Sequence, residues 1–324
     1  MSDLIFQSAS ALVHAIRERK ISAVEVLEAH LAQIMLHNGQ LNAIITLDEQ
    51  GARRRALAAD EALSRDENWG PLHGLPITLK DCHSTIGLRT TAGFTPLNDY
   101  VPIEDGTVSA RLKAAGGIII GKSNVPVLLS DYQTNNPIFG RTQNPWNLDR
   151  TPGGSSGGAA AALAAGMIPL EIGSDLAGSI RVPAHFCGIF GLKPTERRVS
   201  LAGHIPELPG TIRTFRQMAC IGPMARNIED LTLAFKVIAG PDIMDTDVPP
   251  VPVNEVPSPA LNKLRIAWAA SFPGIPVSYE ISSAIERLAA DLAIMGAKVE
   301  HILPDVDWVE QENIFSQIMN NIRS

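Results

Sequence analysis

Serine and lysine supply the chemistry legible in this chain. A glycine-rich run, Pro152-Gly153-Gly154-Ser155-Ser156-Gly157-Gly158, is followed by Gly173-Ser174-Asp175-Leu176-Ala177-Gly178-Ser179-Ile180-Arg181-Val182-Pro183. Glycines at these positions permit positive φ and close approach of main chain to a ligand. Between the two segments lie an alanine-rich run, Ala159 to Gly166, and an apolar stretch, Ile168 to Ile172. A helix rises about 1.5 Å per residue and a strand about 3.3 Å. The chain can therefore leave and return, and Ser155 and Ser179 are expected side by side. Two adjacent hydroxyls under glycine-supplied N–H groups suit a nucleophile, a proton relay and an anion cradle.

A serine hydroxyl is a poor nucleophile until a base takes its proton. The chain has eight histidines, but none stands in a triad context and no Gly-x-Ser-x-Gly elbow occurs. His83 and His185 lie nearest the serine segments and read as structural or surface residues. A lysine replaces histidine if burial leaves it neutral. Lys80 is the candidate, because it ends the strand-like Leu75-Pro-Ile-Thr-Leu-Lys80 and precedes Asp81-Cys82. Strand ends are where α/β folds place active sites.

Plainer readings stand beside these. On spacing alone Lys80 is a solvated lysine at a strand end, and Ser179 is a helix cap. Gly-Gly-Ser-Ser-Gly-Gly has linker composition, although a linker would not lead straight into an apolar helix and a buried strand. Leu176, Ala177 and Gly178 can present consecutive N–H groups, as an oxyanion hole requires. The letters Gly116-Gly-Ile-Ile-Ile-Gly121-Lys122-Ser123 match a phosphate-binding loop pattern. There the variable residues must form a loop after a strand, whereas Ile118 to Ile120 are themselves strand-like and Pro126 breaks any helix that follows.

The elements that must carry these groups alternate in type. The first 65 or so residues read as helices, with Ser22-Ala-Val-Glu25 as a capping box, Gly39 near a helix end and Arg53 to Leu63 as a further helix. Strand-like segments are Leu75 to Leu79, Ile118 to Ile120 and Pro169 to Ile172, with a helical pattern at Ser109 to Ala115. This alternation predicts an α/β fold. Asp242 to Pro259 is acidic and proline-rich and reads as an exposed connector. A βαβ-like unit follows: strand Leu264 to Ala269, helix Ser282 to Ile294, strand Lys298 to Ile302 and a last helix from Val309 to Ile322.

Composition narrows the class. The chain has 324 residues, 45% apolar and 19% charged, enough for a large core and too apolar for disorder. A net charge of −7 disfavours nucleic acid or an anionic membrane as partner. The three cysteines, Cys82, Cys187 and Cys220, have no CxxC spacing and read as reduced buried thiols, with no metal site. No secretory signal is read at Met1-Ser-Asp-Leu-Ile-Phe, and a cytoplasmic location is expected.

With Lys80, the Gly-Gly-Ser155-Ser-Gly-Gly run and Asp175-Leu-Ala-Gly-Ser179-Ile-Arg-Val-Pro183 assembled, the chain resembles the amidase signature family. The resemblance runs from about Leu4 to about Pro304 and takes in Pro145-Trp146-Asn147 and Phe186-Cys-Gly-Ile-Phe-Gly-Leu-Lys-Pro194. It implies a mixed β-sheet flanked on both faces by helices and a Ser–Ser–Lys triad. Ser179 matches the acyl-accepting nucleophile, Ser155 the bridging serine on a cis peptide bond, and Lys80 the base. The N–H groups of Leu176, Ala177, Gly178 and Ser179 match the oxyanion hole. Leu129, Asp131, Tyr132 and Gln133 fall where family members line the substrate pocket, together with Ser155. Asp175 and Arg181 are expected to orient the loop.

The resemblance further implies one amidase-like domain over 1–324. Its parts are a helical region 1–65, a signature core 66–240, a connector 241–260 and a C-terminal segment 261–324. It implies hydrolysis of a small-molecule amide to an acid and ammonia or an amine, without a cofactor, in a monomer or homodimer. Ala177 stands where the family usually has glycine. Family members usually continue beyond 324 residues, so the sheet is expected to be incomplete. Two alternatives remain: a glutaminase subunit supplying ammonia to an amidotransferase partner, whose relatives commonly carry Gln where this chain has Val182, and an inactive truncated homologue.

Overall fold

The computed structural model describes residues 4–205, 207–208, 217–253 and 259–323. The elements in chain order are α1 (Ala9–Arg17), α2 (Ala23–Leu41), β1 (Ile44–Leu47), α3 (Glu49–Ser64), β2 (Pro76–Lys80), α4 (Thr107–Ala114) and β3 (Ile118–Ser123). Next come β4 (Asn135–Asn136), β5 (Gly140–Arg141), α5 (Gly157–Ala164), β6 (Leu170–Asp175), α6 (Arg181–Cys187), β7 (Phe190–Gly191), β8 (Cys220–Ala225) and α7 (Ile228–Ile238). The last four are β9 (Arg265–Trp268), α8 (Tyr279–Ile294), β10 (Lys298–His301) and α9 (Trp308–Arg323). The chain forms two compact units, Met1–Val253 and Asn254–Ser324, where the sequence suggests one domain.

The first unit is built on one sheet of order β1-β3-β2-β6-β8-β7. Its centre is parallel, β2 running with both β3 and β6. Its flanks are antiparallel, β1 against β3 and β8 against both β6 and β7. The sheet is thus mixed, with helices packed on it, as expected. Every residue of β2 and β6 is buried, the polar Thr78, Lys80, Glu171, Ser174 and Asp175 included. The core joins these strands to Leu12, Ile16 and Leu27 of the first two helices and to Ala159–Leu163 of α5. α5 is glycine, alanine and leucine throughout and buried along nearly its whole length, so its backbone lies directly against β2, β3, β6 and β8.

Local signals act largely as their chemistry dictates. Ser22 and Glu25 close the capping box of α2. That helix runs through Gly39 to Leu41 and stops at Asn42, which takes the left-handed conformation (φ 49°) that ends it. Residues 116–123 form a turn and then β3, with Lys122 inside the strand, so no phosphate loop exists there. The connector departs from expectation in its first half. Asp245 is buried and accepts from Leu201 N at 2.8 Å, and Asp242 accepts from the hydroxyls of Thr107 and Ser200. These acids find donors on the sheet unit, so residues 242–248 dock on it; residues 254–258 lie outside the described residues. In the second unit β9 and β10 pair in parallel with α8 between them in sequence.

One buried acid ties the chain's start to this unit. Asp230, on α7, accepts from Ala9 N (2.7 Å), Ser10 N (2.8 Å), Ser10 Oγ (2.8 Å) and Asn227 Nδ2 (2.6 Å). A carboxylate at the first turn of α1 satisfies orphan N–H groups and the helix dipole together. Asp230→Ala leaves these donors buried without an acceptor. It should lower unfolding stability by about 3 kcal/mol, read as a fall in the urea midpoint at unchanged slope; a midpoint within error of the parent would refute the account.

Candidate active site

β2 delivers Lys80 to the C-terminal end of the sheet with no exposed surface. Its Nζ donates to Ser155 Oγ at 2.7 Å, Ser174 Oγ at 3.0 Å and Ser174 O at 3.1 Å. All three partners are neutral oxygens. Burial lowers the Lys80 pKa from 10.5 to about 8, against the attraction of Cys82, Asp175 and Glu171. Here the structure departs from the solvated strand-end lysine. It also narrows the geometry of the amine. A protonated Nζ has three N–H donors for these three oxygens, whereas a neutral one has two donors and a lone pair. The Ser174 carbonyl cannot donate, so the lone pair must meet a hydroxyl, that of Ser155 or Ser174.

The glycine-rich run places Ser155. The Gly154–Ser155 peptide bond is cis, as the resemblance implied. A Cβ on Gly154 would lie 2.7 Å from the carbonyl oxygen of Asp131, so only glycine lets this strand of chain pass. Ser155 and Ser156 are buried and lead directly into α5, not into a flexible linker. The second serine is joined through the main chain, Ser156 N donating to Ser179 O at 3.1 Å. Ser179 is 8% exposed, and among the described residues its hydroxyl has no hydrogen-bond partner. α6 starts just after it with Ile180 as its cap residue and no side-chain cap bond, so Ser179 does not cap this helix.

The turn from β6 to α6 is organised around Asp175. Its Oδ1 accepts from Gly178 N at 2.8 Å, its Oδ2 from Ile180 N at 3.0 Å, and the Arg181 guanidinium spans both oxygens at 2.8 and 3.0 Å. Burial works to raise the Asp175 pKa, but the Arg181, Gly178 and Ile180 hydrogen bonds outweigh it and the net shift is downward. Gly178 sits at φ +120°, a conformation that disfavours any side chain; Ala177 has no such φ, so the alanine there is tolerated. The Gly178 N–H is committed to Asp175, which corrects the expectation that it lines an oxyanion hole. The N–H groups of Leu176, Ala177 and Ser179 meet no acceptor among the described residues.

The pocket segment packs on this turn. Tyr132 Oη donates to Ala177 O at 2.6 Å. Leu129 packs against the small cluster of Cys82, Ala92 and Ile205. Asp131 and Gln133 are exposed, and Asp131 Oδ1 accepts from Gln133 N at 3.0 Å in a local turn. Of the two histidines near the motifs, His83 is buried with its pKa held well below 6.5 by desolvation, and His185 is exposed; neither touches the serines.

Several residues here escape sequence reading. Ser174 holds Lys80 through two atoms, although it stands inside the quoted motif. Cys82 Sγ lies 3.9 Å from Ser174 Oγ and 3.3 Å from His204 Nε2. Lys122 is fully buried and donates to His83 O and to Thr90 Oγ1. Glu171 is fully buried and accepts from Thr78 Oγ1 and from Ser123 Oγ, the latter at 3.1 Å. Only the pairing of β2, β3 and β6 brings these together. Among the described residues no group of three or more His, Cys, Asp or Glu is arranged to hold a metal.

Comparison with known proteins gives the family. The Amidase family model matches residues 25–321, and the chain belongs to that family, whose amidase signature members are amide hydrolases. It is 42% identical over 292 residues to one subunit of the glutamyl-tRNA(Gln) amidotransferase of Roseiflexus sp. (strain RS-1), covering 89% of this chain and 58% of that protein. The corresponding subunit of the Moorella thermoacetica enzyme is 37% identical over 310 residues, covering 94% and 62%. Among solved structures, a fatty acid amide hydrolase superposes with a TM-score of 0.86 at 29% identity, covering 94% of this chain and 53% of that one. A bacterial aryl acylamidase of the amidase signature family superposes with a TM-score of 0.81 at 31% identity, covering 92% and 61%. The chain thus spans about three fifths of the length of the curated relatives it matches.

The Asp175 arrangement makes a prediction independent of any substrate. Asp175→Asn keeps the shape but weakens charge-assisted bonds and turns one acceptor into a donor facing N–H groups. Hydrogen exchange of the Gly178 and Ile180 amides should accelerate by about tenfold or more, with the β2 amides unchanged. Equal protection in both proteins would remove Asp175 as the organiser of the turn.

Proposed function

We propose that this chain hydrolyses a small carboxylic acid amide through a covalent Ser179 ester. The observation that carries the reading is Lys80 Nζ at 2.7 Å from Ser155 Oγ, with no solvent access to the amine. Neutral Lys80 accepts the Ser155 proton as Ser155 accepts that of Ser179. The Ser179 oxygen bonds to the amide carbon, and the carbonyl oxygen takes the negative charge. The unoccupied N–H groups of Leu176, Ala177 and Ser179 are the donors available to it, each worth about 10²–10³ in rate when well placed. The C–N bond then breaks, and the proton held by the relay leaves with ammonia or the amine. Water repeats the steps: its proton goes to the relay, its oxygen to the acyl carbon, and the Ser179 C–O bond breaks to free the acid.

In this reading Leu129, Asp131, Tyr132 and Gln133 border the acyl pocket, and Asp175 with Arg181 holds the turn. No helix among the described residues is long and apolar enough to cross a membrane; a cytoplasmic location and a dissolved amide substrate are part of this proposal. The names of the curated relatives favour a second reading, in which the chain hydrolyses glutamine for an amidotransferase partner.

A fluorophosphonate probe and a panel of aliphatic, aryl and peptide amides, with glutamine included, test both. Labelling should fall on Ser179 and vanish in Ser179→Ala. Turnover of glutamine above all other amides would select the second reading, and labelling elsewhere would overturn the nucleophile. Lys80→Met should slow hydrolysis by at least about 10³-fold. The base works only when neutral. With its pKa lowered to about 8, the neutral fraction rises with pH through that value, so kcat/KM should climb about tenfold per unit below it and level off above. A profile flat from acid to alkaline pH with chemistry rate-limiting would exclude Lys80 as base.

A further inference from the structure

Glu171 is a buried acid that the triad chemistry leaves unused. It belongs to β6, where it stands opposite Thr78 of β2. Its carboxyl accepts from Thr78 Oγ1 on that strand and from Ser123 Oγ on β3. Ser123 is in turn the register partner of Lys80. A side chain that starts on β6 and reaches β3 must cross β2. Thr78 and Lys80 are two residues apart on β2 and share a face. The carboxyl therefore lies across the face from which Lys80 rises, on the side where α5 begins.

We propose that Glu171 is a positioning residue for the base: an internal acid held across β2 whose proton decides at what pH Lys80 becomes neutral. The inference rests on the hydrolytic reading above and assigns a regulator of the same site. The groups facing Glu171 are few. β2 presents Thr78 and Lys80, and β3 presents Ser123, with Lys122 one residue earlier. β8 presents Met224 as its register partner, and α5 brings only glycine, alanine and leucine. On β6 itself, Asp175 is committed to Arg181.

Burial raises the Glu171 pKa to about 8, against the Thr78 and Ser123 hydroxyls and the attraction of Lys122 and Lys80. Lys80 is brought down to about 8 from the other side. The carboxylate and the ammonium attract each other across β2, so their titrations are coupled. Starting from acid and ammonium, loss of one proton gives either acid with neutral amine, which is competent, or carboxylate with ammonium, which is not. The second state competes with the first and moves the working range of the amine toward alkaline pH. An uncharged amide at position 171 abolishes that competition.

The test follows the rate of fluorophosphonate labelling at Ser179 against pH in the full chain. Glu171→Gln keeps one oxygen acceptor and presents an NH2 donor to the other hydroxyl, which can turn to accept from it; it should move the midpoint of the acid limb downward by about one pH unit. Ser123→Ala withdraws one donor from the carboxylate, favours its protonated form and should move the midpoint the same way by less. It also keeps the proposal testable if the Gln variant does not fold. A protonated-carboxyl stretch in infrared spectra at neutral pH should be lost in Glu171→Gln. Labelling of both variants with the parental midpoint would overturn the role of Glu171 and leave the triad intact. Absence of Ser179 labelling in the parent at every pH would instead overturn the hydrolytic reading, and this inference with it.

Discussion

An amine enclosed at the end of a strand without a bonded carboxylate is the constraint on which this site depends. Removing a cation from water costs several kcal/mol unless a counter-ion compensates. Lys80 is given hydroxyl and carbonyl oxygens instead, so the fold shifts its balance toward the form that carries no charge. The surroundings follow the same rule. Burial brings Lys122 down to about 8, raises Glu171 to about 8 and Asp81 to about 6, and pushes the Cys82 thiol up to about 11. Each group at the C-terminal end of β2 and β3 is thus shifted toward its uncharged form, so that the amines of Lys80 and Lys122 lose their protons a little above neutral pH rather than far above it. Asp175 and Arg181 are the contrast: that pair opens toward solvent, with the arginine side chain 54% exposed, and keeps its charges.

Small residues make the enclosure achievable. A serine can reach a lysine buried in a strand only if its own backbone comes close, and bulky neighbours would prevent this. Gly154 passes the Asp131 carbonyl where a methyl would stand at 2.7 Å. Gly153, at φ +83°, lies with its missing Cβ 2.8 Å from Pro183 Cα. The alanine face of α5 then seals the site from the sheet side. Gly-Gly-Ser-Ser-Gly-Gly and the alanine run are one device: they trade side-chain volume for proximity of main chain, and the serines gain position without gaining mobility.

What could be read from the chain divides along sequence distance. The strands carrying Lys80 and Asp175 are legible in part, from Leu75, Ile77 and Leu79 and from Leu170 and Ile172, although β6 runs on through Gly173 and Ser174 to Asp175. The capping box at Ser22 and the linking of serine to lysine by family motif are legible for the same local reason. β8 escapes because Gly222 and Pro223 argue against a strand, yet it pairs β6 along six residues. Gly39 misplaces the end of α2, since Asn42 supplies the left-handed cap. Glu171, Ser123 and Lys122 join the site only through strand register, and His204 through an isolated bridge to His83; no local window contains either. The Gly178 N–H is likewise unreadable: that it serves Asp175 rather than a substrate follows from how the turn folds back.

One remaining nucleophile must be weighed against Ser179. Cys82 Sγ lies 3.3 Å from His204 Nε2, a spacing that resembles a cysteine–histidine dyad. Such a dyad works as thiolate and imidazolium, which needs the thiol pKa lowered and the imidazole kept basic. Burial does the reverse here, raising Cys82 to about 11 and lowering His204 to about 3. Both groups are neutral, and the thiol has no exposed surface. The contact is packing beside Ser174, and it adds an uncharged wall to the enclosure around Lys80. The same desolvation that silences the thiol is what makes the amine a base, so one physical cause selects serine chemistry over cysteine chemistry at this strand end.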